Sequence, residues 1–326
     1  MAAAPVFIDA FTLRSILTHK SLIHHLQSSL PAISSTVHAP LRQSHSLSPS
    51  SSLLLMPSWS SSPSLPYIGV KLVTYFPQNS LLHLPGVHAS YALFHSLTGA
   101  PLATIEGSDL TLFRTSSISA LASLYLSKPD AQVLLMVGCG SLAPHLVKAH
   151  LAARPSLKKV LIWNRTPEKA TRLARNLGEE GGFEGVEFQS CGRLEEIVGL
   201  GDIVSCATNS ESPLVMGAAL KAGAHLDLVG SFRDCMRECD DEAIRRGKVF
   251  VDNEAALEEA GELVGAFDRG VISRGEIAGK LVELIGGEKV GRKDSEEITV
   301  FKSVGSAAVD LLSAQLVYET FMKRKA

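Results

Sequence analysis

V133-L-L-M-V-G-C-G-S-L-A-P-H145, followed by V160-L-I-W-N-R-T166, is the stretch that decides the fold. Val133 to Val137 is an unbroken apolar run, as expected of a parallel strand buried on both faces. Gly138 permits the tight turn after it. Gly140 lets the backbone approach a pyrophosphate, and Ala143 takes the third small position, where a helix packs close to its strand. Ser141 and Leu142 then lead into a helix whose free N–H groups suit phosphates. A second strand, Val160 to Trp163, arrives at the spacing of a βαβ unit. It ends in Asn164-Arg165-Thr166 and not in the acid that would hold a ribose 2′-hydroxyl. A guanidinium there suits a 2′-phosphate, so the expected cofactor is NADPH, with NADH binding more weakly. The competing interpretation is a doubly wound domain that holds another nucleotide, or none.

Outward from that stretch the pattern continues. Strands are expected at 133–137, 160–163, 186–188, 202–206, 225–229 and 248–251, with helices between them. Such alternation implies a parallel sheet covered on both faces. Before it, L53-L-L-M-P57, Y67-I-G-V-K-L-V-T-Y75 and S90-Y-A-L-F94 alternate with turns and predict a mostly antiparallel sheet. Val6 opens a further strand followed by an amphipathic helix. The fold class is therefore α/β. A Rossmann-type doubly wound parallel sheet spans residues 115–297, and an α+β domain is built from 1–114 with 298–326, where the tail after Ile298 is expected to be a final helix.

A chain of 326 residues with net charge −2 fits two domains. No basic cluster has the density of a nucleic-acid footprint, and no apolar run approaches the roughly 18 residues of a membrane span. Neither partner is expected. The five cysteines are odd in number and lack metal-ligand spacing, so no metal is expected and a reducing compartment is. Cys139 lies inside the glycine turn, where its oxidation should obstruct the cofactor. Between Met1 and Ile105 the only acid is Asp9, and that segment holds eight of the eleven histidines. With the serine-rich patch from Ser44 to Ser64 it resembles a plastid transit peptide, although the strand and helix from Val6 argue for the alternative, a cytoplasmic protein.

Three cations lie where a ligand could use them. Arg114 is expected just before a helix capped by Ser116 or Ser117, a place that favours an anion. Lys71 interrupts the apolar strand G69-V-K-L-V73; it either faces solvent from a sheet edge or lines a pocket. Arg42, in A39-P-L-R-Q43, is the third.

Together, the segments around Arg42, G69-V-K-L-V, E106-G-x-x-L-T-x-x-R-T-S-S-x-S, V-G-C-G-S-L-A, W-N-R-T, A222-G-A-H-L-D-L-V-G, F250-V-D-N and I298-T-V-F-K-S-V-G resemble the ornithine cyclodeaminase/mu-crystallin family over nearly the whole chain. The segment S51-S-L-L-L-M-P-S-W-S-S-S62 and the L-P-Y-x-G-V-K-L-V-T-Y-F-P that follows are similar to the plant branch that reduces dehydropipecolate to pipecolate in immune signalling. The resemblance implies a Rossmann domain, a substrate and dimerisation domain, and a homodimer. A sheet-rich, charge-poor first domain with open edges agrees with a second copy covering it.

The resemblance places Arg42, Lys71 and Arg114 on the substrate carboxylate, with Phe232 and Gly305 beside it. It places Thr115, Gly138, Gly140, Ser141, Leu142, Asn164, Arg165, Thr166, Ala207, Thr208, Ser231 and Ser303 on the cofactor. The implied reaction is NADPH-dependent reduction of a small cyclic imino acid, 1-piperideine-2-carboxylate and also 1-pyrroline-2-carboxylate, to pipecolate or proline. Lys71 is the expected proton donor; Glu106 and His88 rank lower. Three cations in one pocket should depress the lysine pKa. In the family's cyclodeaminases the strand at His225 to Val229 leads into Gly-Gly-Asp, whose acid serves the deamination. Here Gly230-Ser231-Phe232 stands in its place. Cyclodeaminase or amino-acid dehydrogenase activity, or crystallin-like binding without turnover, are the alternatives.

Overall fold

The computed structural model describes residues 4–33 and 35–325. The chain divides into two compact units, one of residues 1–115 with 306–326, the other of 116–305.

The first unit carries β1 (Val6–Ile8), α1 (Ala10–Ile16), α2 (His19–Ile33), β2 (Val37–His38), β3 (Gln43–Ser46), β4 (Ser52–Ser60), β5 (Tyr67–Tyr75), β6 (Val87–His95), β7 (Pro101–Glu106) and the start of α3 (Gly107–Leu126). Its sheet runs β1-β7-β6-β5-β4-β2, with β3 also on β4; only the β1/β7 pair is parallel. Two-residue periodicity turns alternate β5 side chains to one face. Tyr67, Gly69 and Lys71 are buried there, and the final helix, α10 (Ala307–Lys325), covers them. Tyr67 donates from its hydroxyl to Glu319 (3.1 Å), and Ser58 of β4 donates to the Ala307 carbonyl (2.9 Å), fixing helix to sheet.

The second unit carries β8 (Val133–Val137), α4 (Ala143–Ala153), β9 (Lys159–Trp163), α5 (Pro167–Glu179), β10 (Glu187–Ser190), β11 (Ile203–Cys206), β12 (His225–Leu228), α6 (Asp241–Arg246), β13 (Lys248–Val251), α7 (Ala256–Glu259), α8 (Gly261–Asp268), β14 (Gly279–Lys280), α9 (Leu281–Ile285) and β15 (Thr299–Lys302). The strand order is β10-β9-β8-β11-β12-β15-β13-β14, and all pairs are parallel. Order reverses beside β8, which places a ligand crevice at the carboxyl ends of β8 and β11. The continuous apolar run of β8 serves two cores at once. Leu134 and Met136 pack with Leu146, Ile162 and Ala170, whereas Leu135 and Val137 pack with Val204, Leu226 and Leu263. Truncating Leu134, Leu135 or Met136 to Ala should cost about 2–5 kcal/mol.

Two expectations are corrected here. The tail after Ile298 is not simply a helix: β15 inserts between β12 and β13, so the chain leaves the second unit only after Gly305. Its four residues are too few, and too close to the helix, for periodicity to separate them. Nor does a helix start at Ser116. α3 begins at Gly107, where both Glu106 carboxylate oxygens accept the Ser108 and Asp109 N–H groups (3.1 and 2.6 Å). Arg114 therefore lies inside a helix and away from its N-terminus, and Glu106 is engaged as a cap.

Candidate functional site

Strand register assembles the anion site of the first unit. Met56 of β4, Lys71 of β5, Tyr91 of β6 and Ile105 of β7 stand opposite one another in a single row, all buried. Gly69 completes it by absence. A methyl group there would lie 1.9 Å from the Tyr91 hydroxyl, so only glycine leaves that phenol its place. Lys71 is 2 % exposed on an interior strand, which excludes the sheet-edge interpretation.

Above Lys71 stands Asp310 of α10, fully buried. Its Oδ2 lies 2.8 Å from Lys71 Nζ and its Oδ1 2.9 Å from Arg114 Nε. These are ion-pair distances without full hydrogen-bond alignment, for Arg114 Nε and both Asp310 oxygens find no aligned partner among the described residues. Burial alone would raise the Asp310 pKa, but Arg114 and Lys71 outweigh it and hold the acid below its ordinary value. Burial and the Arg114 charge lower the Lys71 ammonium to about 8, against the pull of Asp310; Arg42, just before β3, lowers it further. One acid thus faces two buried cations, with Arg42 near enough to act on them. The positive surplus calls for an anion, and the Arg114 nitrogen nearest Asp310 is Nε.

Asp310 is the member of this cluster that sequence reasoning missed. Its signal was an acid within the apolar run V309-D-L-L312, which becomes legible only once both faces of α10 are known to be covered. His88, by contrast, is exposed on β6 and carries no such network.

The cofactor cradle of the second unit is built mostly from backbone. Gly138 has φ +107°, and a side chain there would meet the Ala207 carbonyl at 2.6 Å. Gly140 opens onto free space, and Ser141 is exposed. No side chain caps α4 after Leu142, Pro144 lacks an N–H, and the Ala143 and Leu146 N–H groups donate to the Gly140 and Leu142 carbonyls (3.0 Å each), so the open approach for a phosphate is along the loop backbone at Gly140 and Ser141. These features fit a dinucleotide. Asn164 supports the loop, accepting the Cys139 N–H (3.2 Å) and donating to the Thr166 carbonyl (3.0 Å). Arg165 and Thr166 are exposed at the end of β9. A groove beside the loop is lined by Cys139, Gly140, Ser141, Lys169 and Arg172; the last two are cations the sequence reading passed over. Burial pushes the Cys139 thiol up to about 11, so it stays protonated and resists the oxidation considered above.

Further along the strand ends, Glu238 joins two loops. It accepts from the Thr208 N–H (2.6 Å), the Thr208 hydroxyl (2.8 Å) and the Gly230 N–H (2.7 Å). Burial raises its pKa to about 7, with Lys302 opposing and Glu262 reinforcing. Ala207 and Thr208 are thereby held at the end of β11. Ser231 is fully buried and donates to the Met236 carbonyl (2.8 Å), so its hydroxyl supports the loop. Ser303 is buried after β15; Phe232 and Gly305 are half-buried. Thr115 lies at the division between units within α3. Asp227 faces the core of the second unit, accepting from Ser205 (2.7 Å) and standing 3.4 Å from His150. Its carboxylate is thus engaged inside that core. Among the described residues, no group of three or more His, Cys, Asp or Glu could hold a metal ion, and no helix is long and apolar enough to cross a membrane.

A mixed sheet joined to a doubly wound parallel sheet, with a phosphate loop on one and paired buried cations on the other, defines an α/β dinucleotide-dependent class. The pattern of the ornithine cyclodeaminase/mu-crystallin family matches residues 7–325, and the chain belongs to that family. It is 61% identical over 324 residues to Protein SAR DEFICIENT 4 of Arabidopsis thaliana, covering 99% of this chain and 100% of that one. It is 39% identical over 287 residues to Delta(1)-pyrroline-2-carboxylate reductase of Colwellia psychrerythraea, covering 86% and 89%. The solved structure of Thermococcus litoralis Delta(1)-pyrroline-2-carboxylate reductase, in complex with NADH and L-proline, superposes with a TM-score of 0.92 at 31% identity, covering 98% of each chain.

Proposed function

We propose that this protein is an NADPH-dependent ketimine reductase that converts 1-piperideine-2-carboxylate to pipecolate, and 1-pyrroline-2-carboxylate to proline, in plant pipecolate formation. The observation that carries this is the buried surplus of positive charge at Lys71, Arg114 and Asp310, in a chain that also carries a dinucleotide cradle. A small carboxylate neutralises that surplus. Arg114 and Arg42 are assigned to grip it, and the Lys71 ammonium to give a proton to the imine nitrogen, afterwards recovering one from water. NADPH supplies the hydride that forms the new C–H bond. Holding the reactants in register contributes up to roughly 7–11 kcal/mol.

The pyrroline-2-carboxylate reductases among the relatives support the cyclic imine, and the L-proline in the Thermococcus structure supports a ring carboxylate as ligand. That structure holds NADH. The preference for NADPH here rests on Arg165, and on Lys169 and Arg172 beside the loop. We further assign the chain to a homodimer and to the plastid. The test is NADPH consumption by purified protein with each imine, set against ornithine with NAD. Ammonia and proline released from ornithine at a rival rate would overturn the assignment; a monomer in sedimentation at micromolar concentration would overturn the dimer.

A further inference from the structure

The groups set around Lys71 among the described residues come from different elements. Asp310 comes from α10, Arg114 from α3, Tyr91 from the neighbouring strand β6, and Arg42 from the segment before β3; β4 contributes uncharged Met56 opposite. Three of these groups bear charge, and Asp310 is the one acid among them. It bridges with both oxygens, Oδ2 toward the lysine and Oδ1 toward the arginine, so the two cations are referred to a single fixed carboxylate. Nothing in the assigned reaction uses Asp310 directly.

We propose that Asp310 is the positioning residue of the anion site: it clamps the Lys71 ammonium and the Arg114 guanidinium side by side, and it keeps Lys71 charged until an imine nitrogen takes the proton. This rests on the assignment of Lys71 as proton donor. Without the acid, two buried cations would face each other with Arg42 acting on them from nearby, and the lysine is the one able to relieve the repulsion by losing its proton. A lysine discharged in the resting protein could neither attract the substrate carboxylate nor protonate the imine nitrogen. The acid also differs from a substrate carboxylate in being permanent. Its charge leaves the buried pair Lys71 and Arg114 with a surplus of one, which one incoming carboxylate can balance.

The test compares the intact protein with Asp310→Asn and Asp310→Glu in two measurements. The first follows the Cε resonance of Lys71 against pH in isotope-labelled protein, identified by its loss in Lys71→Arg; it needs no turnover. The second is the pH profile of kcat/KM for NADPH-dependent reduction of 1-piperideine-2-carboxylate. In the intact protein the lysine midpoint should lie near 8, and activity should fall as pH rises through it. Asp310→Asn should move both the midpoint and the alkaline limb down by about one unit or more. Asp310→Glu, which keeps the charge but displaces the bridge, should hold the midpoint within about half a unit while raising KM. An unmoved midpoint in Asp310→Asn overturns the proposal, because a purely structural acid would change stability and leave the titration alone. Should Asp310→Asn not fold, the carboxyl-carbon resonance of Asp310 in the intact protein decides, identified by its loss in Asp310→Glu. A step at the lysine midpoint supports the clamp, and its absence overturns it. Failure of the reductase assignment looks different: the intact protein would not oxidise NADPH with either imine, while the lysine titration would still respond to Asp310.

Discussion

Asp310 of the first unit and Glu238 of the second are both carboxylates sealed from water, and their pKa values move in opposite directions. Asp310 stands within 3 Å of two cationic nitrogens and is lowered. Glu238 is bound chiefly by backbone N–H groups and a hydroxyl, with Glu262 beside it, and is raised to about 7. Burial pushes both acids the same way, so the partners decide the sign. The consequence is a division of labour. The first unit presents buried side-chain charge that titrates; the second presents a backbone loop that Asn164 ties together, with Glu238 fixing Thr208 and Gly230 at the neighbouring strand ends.

The strongest way to break this contrast is Lys71→Ala. Imine turnover should fall by about a hundredfold or more, as for loss of a general acid, while NADPH affinity stays near its original value. Equal losses in both would show that the two functions are not divided between the units. Next in size is Asp310→Ala, which strands two buried cations and should cost about 3–5 kcal/mol of stability in urea unfolding. Lys71→Ala should cost clearly less, because it leaves one acid facing one guanidinium.

Glu238→Gln sharpens the other side. The amide cannot accept from all three donors, so cofactor binding should weaken and stability should drop by about 1–3 kcal/mol. The sign of its pH dependence follows from linkage. An acid whose folded pKa is raised holds its proton more tightly in the folded state, so intact protein should lose stability as pH climbs from about 4.5 to about 7. Thermal melts across that window should show the decline in intact protein and a flatter line in Glu238→Gln; parallel lines would remove Glu238 from the account. Arg165→Ala is expected to erase about 1.5–3 kcal/mol of preference for NADPH over NADH, read by cofactor titration. The smallest change concerns Phe232→Asp. Ammonia release from ornithine should stay at background, because Ser231 donates into its own loop and Asp227 stays buried with Ser205 and His150.

The two sites differed in how openly the sequence displayed them. The cofactor cradle is local: Gly138, Gly140 and Ala143 lie within one turn, and the apolar run before them announces its strand. Hence six strands of the parallel sheet were legible before any coordinates. β15 was not, since four residues between loops carry too little periodicity. The start of α3 was misplaced for a similar reason. Glu106 caps from a strand end, whereas serines further along offered the commoner capping residue.

By itself, the sequence determined the doubly wound sheet, the glycine turn, and the cations Lys71 and Arg114 as residues in need of a partner. Each of these is a matter of neighbours along the chain, where spacing is fixed by covalent geometry. Only the tertiary structure decided what those cations meet. Asp310 lies more than two hundred residues from Lys71 in the chain, yet 2.8 Å away in space. Glu238 reaches back to Thr208 and Gly230 in the same manner. The charge state of a buried group depends on every dipole and charge within a few ångströms, and chain folding, not sequence order, chooses which those are.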